Sequence, residues 1–472
     1  MTEKYLSHLF VHKCLDKKSY TKYAQALNYT DKISTLELFL HHWKEEATID
    51  GEDPNSGYYY TQLEFFRQQA NYSQLIKFGL ETIQQYKKHY TDLEINSLIN
   101  HYAFALSTLH MWSEYVHIAL KQLRLYNKKT QAIQKTSFLN GLASFYQNKI
   151  DQNNDLSLDF INKSMHILHK ETTPPYYEQN YILSRYAFFQ TVQRCNYSLS
   201  AKVWEKIIEI KKEHGVFSDL DNSHGALLTS YFFAGLYNKA IETYDRIDEL
   251  THHYRTRHYF YTTFWATLIY LVLGKYDEAK TLIIKARKGH HKDPWFRTFR
   301  FYCLAHFHLY QGNYYNAYIS FKRLLSLYQK TKISLVIADT SLLTISAKAE
   351  HYGSISEADL PSIQKWIQTE CHNQSYNHWS FQMHALTLAR FTDVDFGIDP
   401  YAVVPADCPN AFLKQKMYVE KIKLLDHKKM HAQADQLRQE YTAYRKKLEL
   451  NIPYEHLQSF RNTPLFPVPE KP

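Results

Sequence analysis

The sequence predicts an all-α protein, a solenoid of stacked antiparallel helix pairs with an N-terminal helical cap. Three observations carry that expectation. The 472-residue chain has only 12 Gly and 13 Pro, and eight of the prolines fall at or after Pro400. A chain so poor in both breakers lacks the turn material that many short strands require. Aromatic residues make up 16%, with 40 Tyr, far more than a disordered chain carries. Finally, a glycine-x-tyrosine-x-x-alanine pattern returns at Gly235, Gly274 and Gly312, in steps of 39 and 38 residues, and self-similarity at such a period marks a helical array.

Residues 1–50 read as the helical cap, with Asp31 as a candidate N-cap before "KISTLELFLHHW". Within them "YAQALNYTDKIS" has some likeness to a helix-turn-helix. Its spacing is one residue short and Asn28 stands where the turn glycine belongs, so a capping bundle is the preferred reading. The stretch "DGEDPNSG" at 50–57 is the linker candidate, and residues 58–390 form the array. Weaker copies of the motif stand near Ala70, His110, Gln152, Cys195 and Gly353. In each clear copy the glycine suits a left-handed residue that ends the first helix. Tyr237, Tyr276 and Tyr314 are expected to cover the turn, and Ala240, Ala279 and Ala317 to let the paired helices approach closely. Apolar residues then return at helical spacing, so each pair must stack on its neighbours to bury its stripe. Residues 391–410, with three prolines, read as an ordered loop crossing the array. A last helix pair is expected over 411–450 and a tail over 451–472.

The motif, the aromatic four residues before each glycine (Tyr231, Tyr270, His308) and the following helix resemble the tetratricopeptide repeat family. The units are longer than that family's usual length. They are similar to the long repeats of bacterial signalling regulators and peptide-pheromone receptors. The tail "IPYEHLQSFRNTPLF" resembles the closing segment of arrays attached to bacterial signalling ATPases and cyclases, although neither catalytic module is encoded here. The resemblance implies a right-handed superhelical solenoid with a concave face, lined by first helices, that binds a peptide or protein partner. Positions ten and six residues before the glycine place Asn100, Asn140, Arg185, Thr229, Phe264, Tyr302 and His306 on that face as partner-binding residues. Amides there suit peptide backbone and rings supply pockets.

No glycine-rich phosphate loop, HExxH, GxSxG or calcium-loop pattern occurs, so no catalytic residue and no cofactor is expected. The 26 histidines gather at His252/His253/His258, at His290/His291 and at the Cys303/His306 pair. None has the converging spacing zinc needs, and they read as polar helix-end residues, with no metal expected. The five cysteines are widely spaced without a CxxC, and no apolar run reaches membrane length. A cytoplasmic protein with no membrane partner and an unspecified oligomeric state is expected.

Charge supplies the alternative. The formal net charge is +9, and residues 251–300 hold ten Lys/Arg against three Asp/Glu. Arg255, Arg257, Arg287, Lys288, Lys292 and Arg297 are the anion-binding candidates within it. They form either a patch for nucleic acid or an acidic partner, or a solvated rim of connecting loops.

Overall fold

The computed structural model describes residues 19–29, 33–49, 56–68, 71–86, 111–125, 154–170, 176–216, 220–254, 259–288, 294–331, 334–364 and, apart from 394 and 396, 376–463, together with scattered helical positions within 95–106 and 135–143. The described residues are helix, turn or irregular chain, with no strand among them. They fall into two compact units. The first is drawn from Met1–Arg185, Ile207–Leu220 and Tyr254–His258. The second is drawn from Tyr186–Lys206, Asp221–His253 and the chain from Tyr259 onward.

The first unit begins with α1 (Tyr20–Tyr29), α2 (Ile33–Ile49) and α3 (Ser56–Gln68), which pack on one another. Their shared core is aromatic: Tyr20 meets Phe39 at 5.3 Å and Trp43 at 5.5 Å, and Trp43 meets Tyr58 at 5.7 Å, all near edge-to-face. That geometry matches the ring quadrupole and adds to the apolar area removed from water. Pairing of α3 with α4 (Tyr72–Tyr86) then continues the stack. In α5 (Trp112–Leu125) the buried Tyr115 donates to the Phe138 carbonyl at 3.4 Å, its ring lying where a Cβ on Gly141 would stand. Ser157 of α6 (Asn154–Lys170) donates to the Ala143 carbonyl at 2.9 Å.

The second unit holds the clear motif copies. The chain continues through α7 (Tyr176–Val192) and α8 (Tyr197–Glu213), which belong to this unit over Tyr186–Lys206, then α9 (Leu220–Phe233), α10 (Tyr237–Tyr254), α11 (Tyr259–Val272), α12 (Tyr276–Lys288), α13 (Pro294–Tyr310), α14 (Tyr314–Thr331), α15 (Ser334–Tyr352) and α16 (Tyr376–Leu388). Consecutive members from α11 to α16 pack as neighbours. The motif works as its chemistry requires. Gly235, Gly274, Gly312 and Gly353 have φ of 77°, 72°, 69° and 71°, the left-handed region where a Cβ is penalised. Cys195 takes the same conformation, at φ 49°, in a weaker copy. Ala240, Ala279 and Ala317 are fully buried, where added methylenes cost about 1–3 kcal/mol through overpacking. In the Cys195 copy the alanine position is Ser200, whose hydroxyl donates to the Ala187 carbonyl at 3.0 Å and pairs with Thr191 and Ser230.

The repeat also runs further than the sequence alone indicates. Lys429 has φ 61°, stands 76 residues after Gly353, twice the 38-residue step, and is followed five residues later by the buried Ala434. The last pair, α17 (Ala411–His427) and α18 (His431–Glu449), is thus a further unit with lysine in the glycine place. The expected tail contains one more helix, α19 (Tyr454–Arg461), with Phe460 fully buried.

Candidate functional site

The loop expected over 391–410 delivers the chain to α17, and its end is fixed by two bonds from one side chain. Asn410 caps α17 by accepting from the Leu413 N–H at 3.0 Å, and its amide donates to the Tyr197 hydroxyl at 3.1 Å. From there α17 extends for about 25 Å along the second unit. Phe412 packs on Phe232 of α9 at 5.2 Å, Gln415 donates to the Tyr237 hydroxyl at 2.8 Å, and Lys416 lies over the Tyr310 ring at 5.9 Å. Further along, Val419, Glu420 and Lys423 face α15 and α16. Tyr237, expected to cover a turn, therefore also receives this helix. Its apolar residues are buried on every side, among them Phe412, Leu413, Met417, Val419 and Leu424. A helix enclosed all round is one that lies within other elements.

Between α17 and the helices α13, α15 and α16 a cavity remains, partly open to solvent. Leu309, Leu343, Met383 and Val419 form its apolar part. Its polar part is a charge network. Arg390 binds Glu350 and, at 2.6 Å, Glu420, while Lys423 reaches Glu420 at 2.9 Å. Burial opposes these charges, but the partners outweigh it: Glu420 and Glu350 raise the Arg390 pKa, and Lys423 and Arg390 lower that of Glu420. Asp339 accepts from Ser380 at 2.6 Å and lies 3.3 Å from His384 Nε2. Burial disfavours its charge, yet the His384 and Ser380 contacts hold its pKa below the usual carboxylate range. Lys416 is different: burial pushes its ammonium down to about 8, against the attraction of Asp339 and Glu420.

Ser346, His384 and Asp339 stand in a row, with Ser346 Oγ 3.5 Å from His384 Nδ1. The order is that of a nucleophile, base and orienting acid. Ser346 sits inside α15, however, where neighbouring backbone N–H groups are consumed by the helix and none is left to stabilise an oxyanion. The row is better described as a buried hydrogen-bonded chain that keeps Asp339 ionised.

The expected partner-facing residues are placed as follows. Thr229 is buried, its hydroxyl donating to the Gly225 carbonyl at 2.7 Å. Phe264 is buried 5.4 Å from Tyr302, and Tyr302 lies 4.3 Å from the buried His306. Thr229, Phe264 and His306 are thus packing residues of the second unit and present no side chain to solvent. They are the residues expected to meet a partner, and here Tyr302 packs on both Phe264 and His306 while Thr229 bonds within its own helix. Tyr302 and Arg185 are half-buried. Asn100 and Asn140 lie outside the described residues. So do Arg255, Arg257 and Lys292, as well as the side chains of Arg287, Lys288 and Arg297, although the last three belong to α12 and α13.

Lys416, Glu420 and Lys423, which line the cavity, were missed by the sequence reading. At a four-residue and then a three-residue step they look like a solvated face of a peripheral helix, and no local signal says otherwise. Among the described residues no group of three His, Cys, Asp or Glu could hold a metal ion, and no helix is long and apolar enough to cross a membrane.

No protein-family model matches the chain, and no curated protein does. Among solved structures, the maize pentatricopeptide repeat protein PPR10 is 11% identical, covering 97% of this chain and 72% of its own, at a TM-score of 0.24. PPR10 in complex with an 18-nucleotide psaJ RNA element is 10% identical, covering 98% and 83%, at 0.25. A superposition at such scores aligns helices without aligning the path of the chain, so it assigns nothing to this protein.

Proposed function

We propose that the protein is a non-enzymatic helical-repeat protein that binds a peptide or protein segment, as a scaffold or a ligand-responsive regulator. The observation that carries this is the way the second unit holds α17: side-chain amides on phenol oxygens, at Tyr197 and Tyr237, with ring packing on Phe232. A wall with that chemistry accepts a helical segment lengthwise, and amides with rings are also what an incoming peptide needs. Since α17 takes that wall in the second unit, the partner is assigned to the first unit, with Asn100, Asn140 and Arg185 as its polar contacts. Three buried free thiols, Cys195, Cys303 and Cys408, support a reducing, cytoplasmic setting.

The test is selection from a displayed peptide library, followed by fluorescence anisotropy on the selected sequences. Replacing Asn100, Asn140 and Arg185 by Ala is expected to weaken binding at least about tenfold, or about 1.4 kcal/mol. If no peptide is retained, and nucleic acid is instead retained in a salt-dependent manner that Arg287→Ala with Lys288→Ala abolishes, the basic stretch 251–300 replaces this reading.

A further inference from the structure

The geometry points to a binding site for a small carboxylate-bearing molecule in the cavity beside α17, with Lys416 as its anion anchor. This goes beyond partner docking and does not depend on it, because the cavity lies wholly within the second unit.

The argument is an accounting of hydrogen bonds and charge. Two cations and two carboxylates line the cavity, Lys416 and Lys423 with Glu350 and Glu420, and Arg390 and Asp339 reach this group from beyond the lining. Arg390 and Lys423 are taken up by Glu350 and Glu420, and Asp339 is engaged by Ser380 and His384. Lys416 alone among these has neither a hydrogen bond nor an ion pair. Its Nζ rests 4.3 Å from the centroid of Phe412 and 5.9 Å from that of Tyr310. An ammonium held against rings carries three donors with no acceptor from the protein, and a carboxylate supplies charge-assisted acceptors of the right sign.

A second observation lies next to it. His306 is 1% exposed, both its ring nitrogens lack a hydrogen-bond partner, and it is within electrostatic reach of Lys416 and His384. Buried polar atoms of this kind are uncommon unless a water or ligand completes them.

Charge balance narrows the ligand. The cavity is neutral as it stands, so a bare anion leaves it at minus one and a phosphate further still, beside two carboxylates. A zwitterion keeps it neutral. Glu350 accepts only from Arg390, which leaves lone pairs for the ligand's ammonium, and Leu309, Leu343 and Met383 offer an aliphatic wall. An aliphatic amino acid meets all three conditions.

Isothermal titration calorimetry on the full-length protein tests this, with leucine and leucinamide as probes. Leucine is expected to bind, and leucinamide, which lacks the carboxylate, at least about tenfold more weakly. At pH 8 leucine binding should take up protons, read as a dependence of the heat on buffer ionisation enthalpy, because an anion beside Lys416 restores its charge against burial. The groups facing that ammonium, Asp339, Glu420, His306 and His384, are common to both probes. Lys416→Met should remove leucine binding and proton uptake while leaving the helical circular dichroism unchanged. Should that variant fail to fold, the contrast between the probes on the unaltered protein decides. Equal binding of leucinamide, or no binding of leucine up to about 10 mM, overturns the proposal, and neither outcome touches the peptide arm in the first unit.

Discussion

The turns at Gly274 and Gly312 have the same backbone and opposite surroundings. Their φ values are 72° and 69°, and the sequences that follow, "KYDEA" and "NYYNA", are close variants of one motif. A Cβ on Gly312 would meet nothing within 4 Å, whereas one on Gly274 would stand 2.6 Å from the Ser459 carbonyl oxygen and 2.8 Å from Thr463 Oγ1. The same holds at Gly235, beside Leu448 and Ala411. The lesson is that one motif serves two purposes. It ends a helix everywhere, and under α18 and α19 it also provides the close approach that seats the chain's own C-terminal segment. Arg445 clamps that segment, donating to the Phe460 carbonyl at 2.6 Å with its guanidinium 4.1 Å from the Phe460 ring.

The largest test of this contrast is a pair of substitutions measured by urea denaturation. Gly312→Ala should cost only the left-handed strain, about 1–2 kcal/mol. Gly274→Ala should add displacement of α19, about 1–3 kcal/mol more. Equal losses would break the comparison. Asparagine caps sharpen it at a smaller scale. Asn313 caps α14 at the open turn, accepting from Asn316 N–H at 3.3 Å in an exposed setting, while Asn410 is fully buried and also holds Tyr197. Asn313→Ala is expected to cost about 0.5–1 kcal/mol, and Asn410→Ala about 2 kcal/mol or more, because the second leaves a buried hydroxyl without its donor.

The smallest effect is read in pH. Lys416 has its pKa lowered to about 8 in the folded protein from the ordinary 10.5. Between those values the unfolded chain holds the extra proton, so this group makes stability rise as pH increases from about 8 to 10.5. Burial raises Cys408 to about 12 from 9.0. In that case the folded protein holds the extra proton, and stability falls as pH passes 9. The difference between the unaltered protein and Lys416→Met isolates the first effect: the variant should rise less, keeping the part contributed by Lys414 and Lys421, whose pKa values burial also lowers.

The array was legible because its signal is local. A left-handed glycine, a small alanine and a helical apolar stripe each act within one pair, so they can be read one unit at a time. The degenerate copies at Cys195 and Lys429 were harder, since neither carries the glycine, and in the first the alanine place is taken by Ser200, which finds Thr191 and Ser230 only once the helices have packed. For the candidate site the position was less favourable. Thr229, Phe264 and His306 were correctly placed on first helices, but whether a first-helix residue meets solvent depends on what lies against it.

From the sequence alone came the all-helical class, the period, the turn residues and the existence of a closing helix pair, because helix ends and stripes are decided by neighbours along the chain. That α17 enters the second unit, that Tyr197 and Tyr237 hold it, and that Lys416 is left beside aromatic rings without an acceptor were decided by tertiary structure. Those contacts join residues as far apart as Tyr197 and Asn410, and no periodicity along a chain encodes which of two equally amphipathic faces another segment will cover.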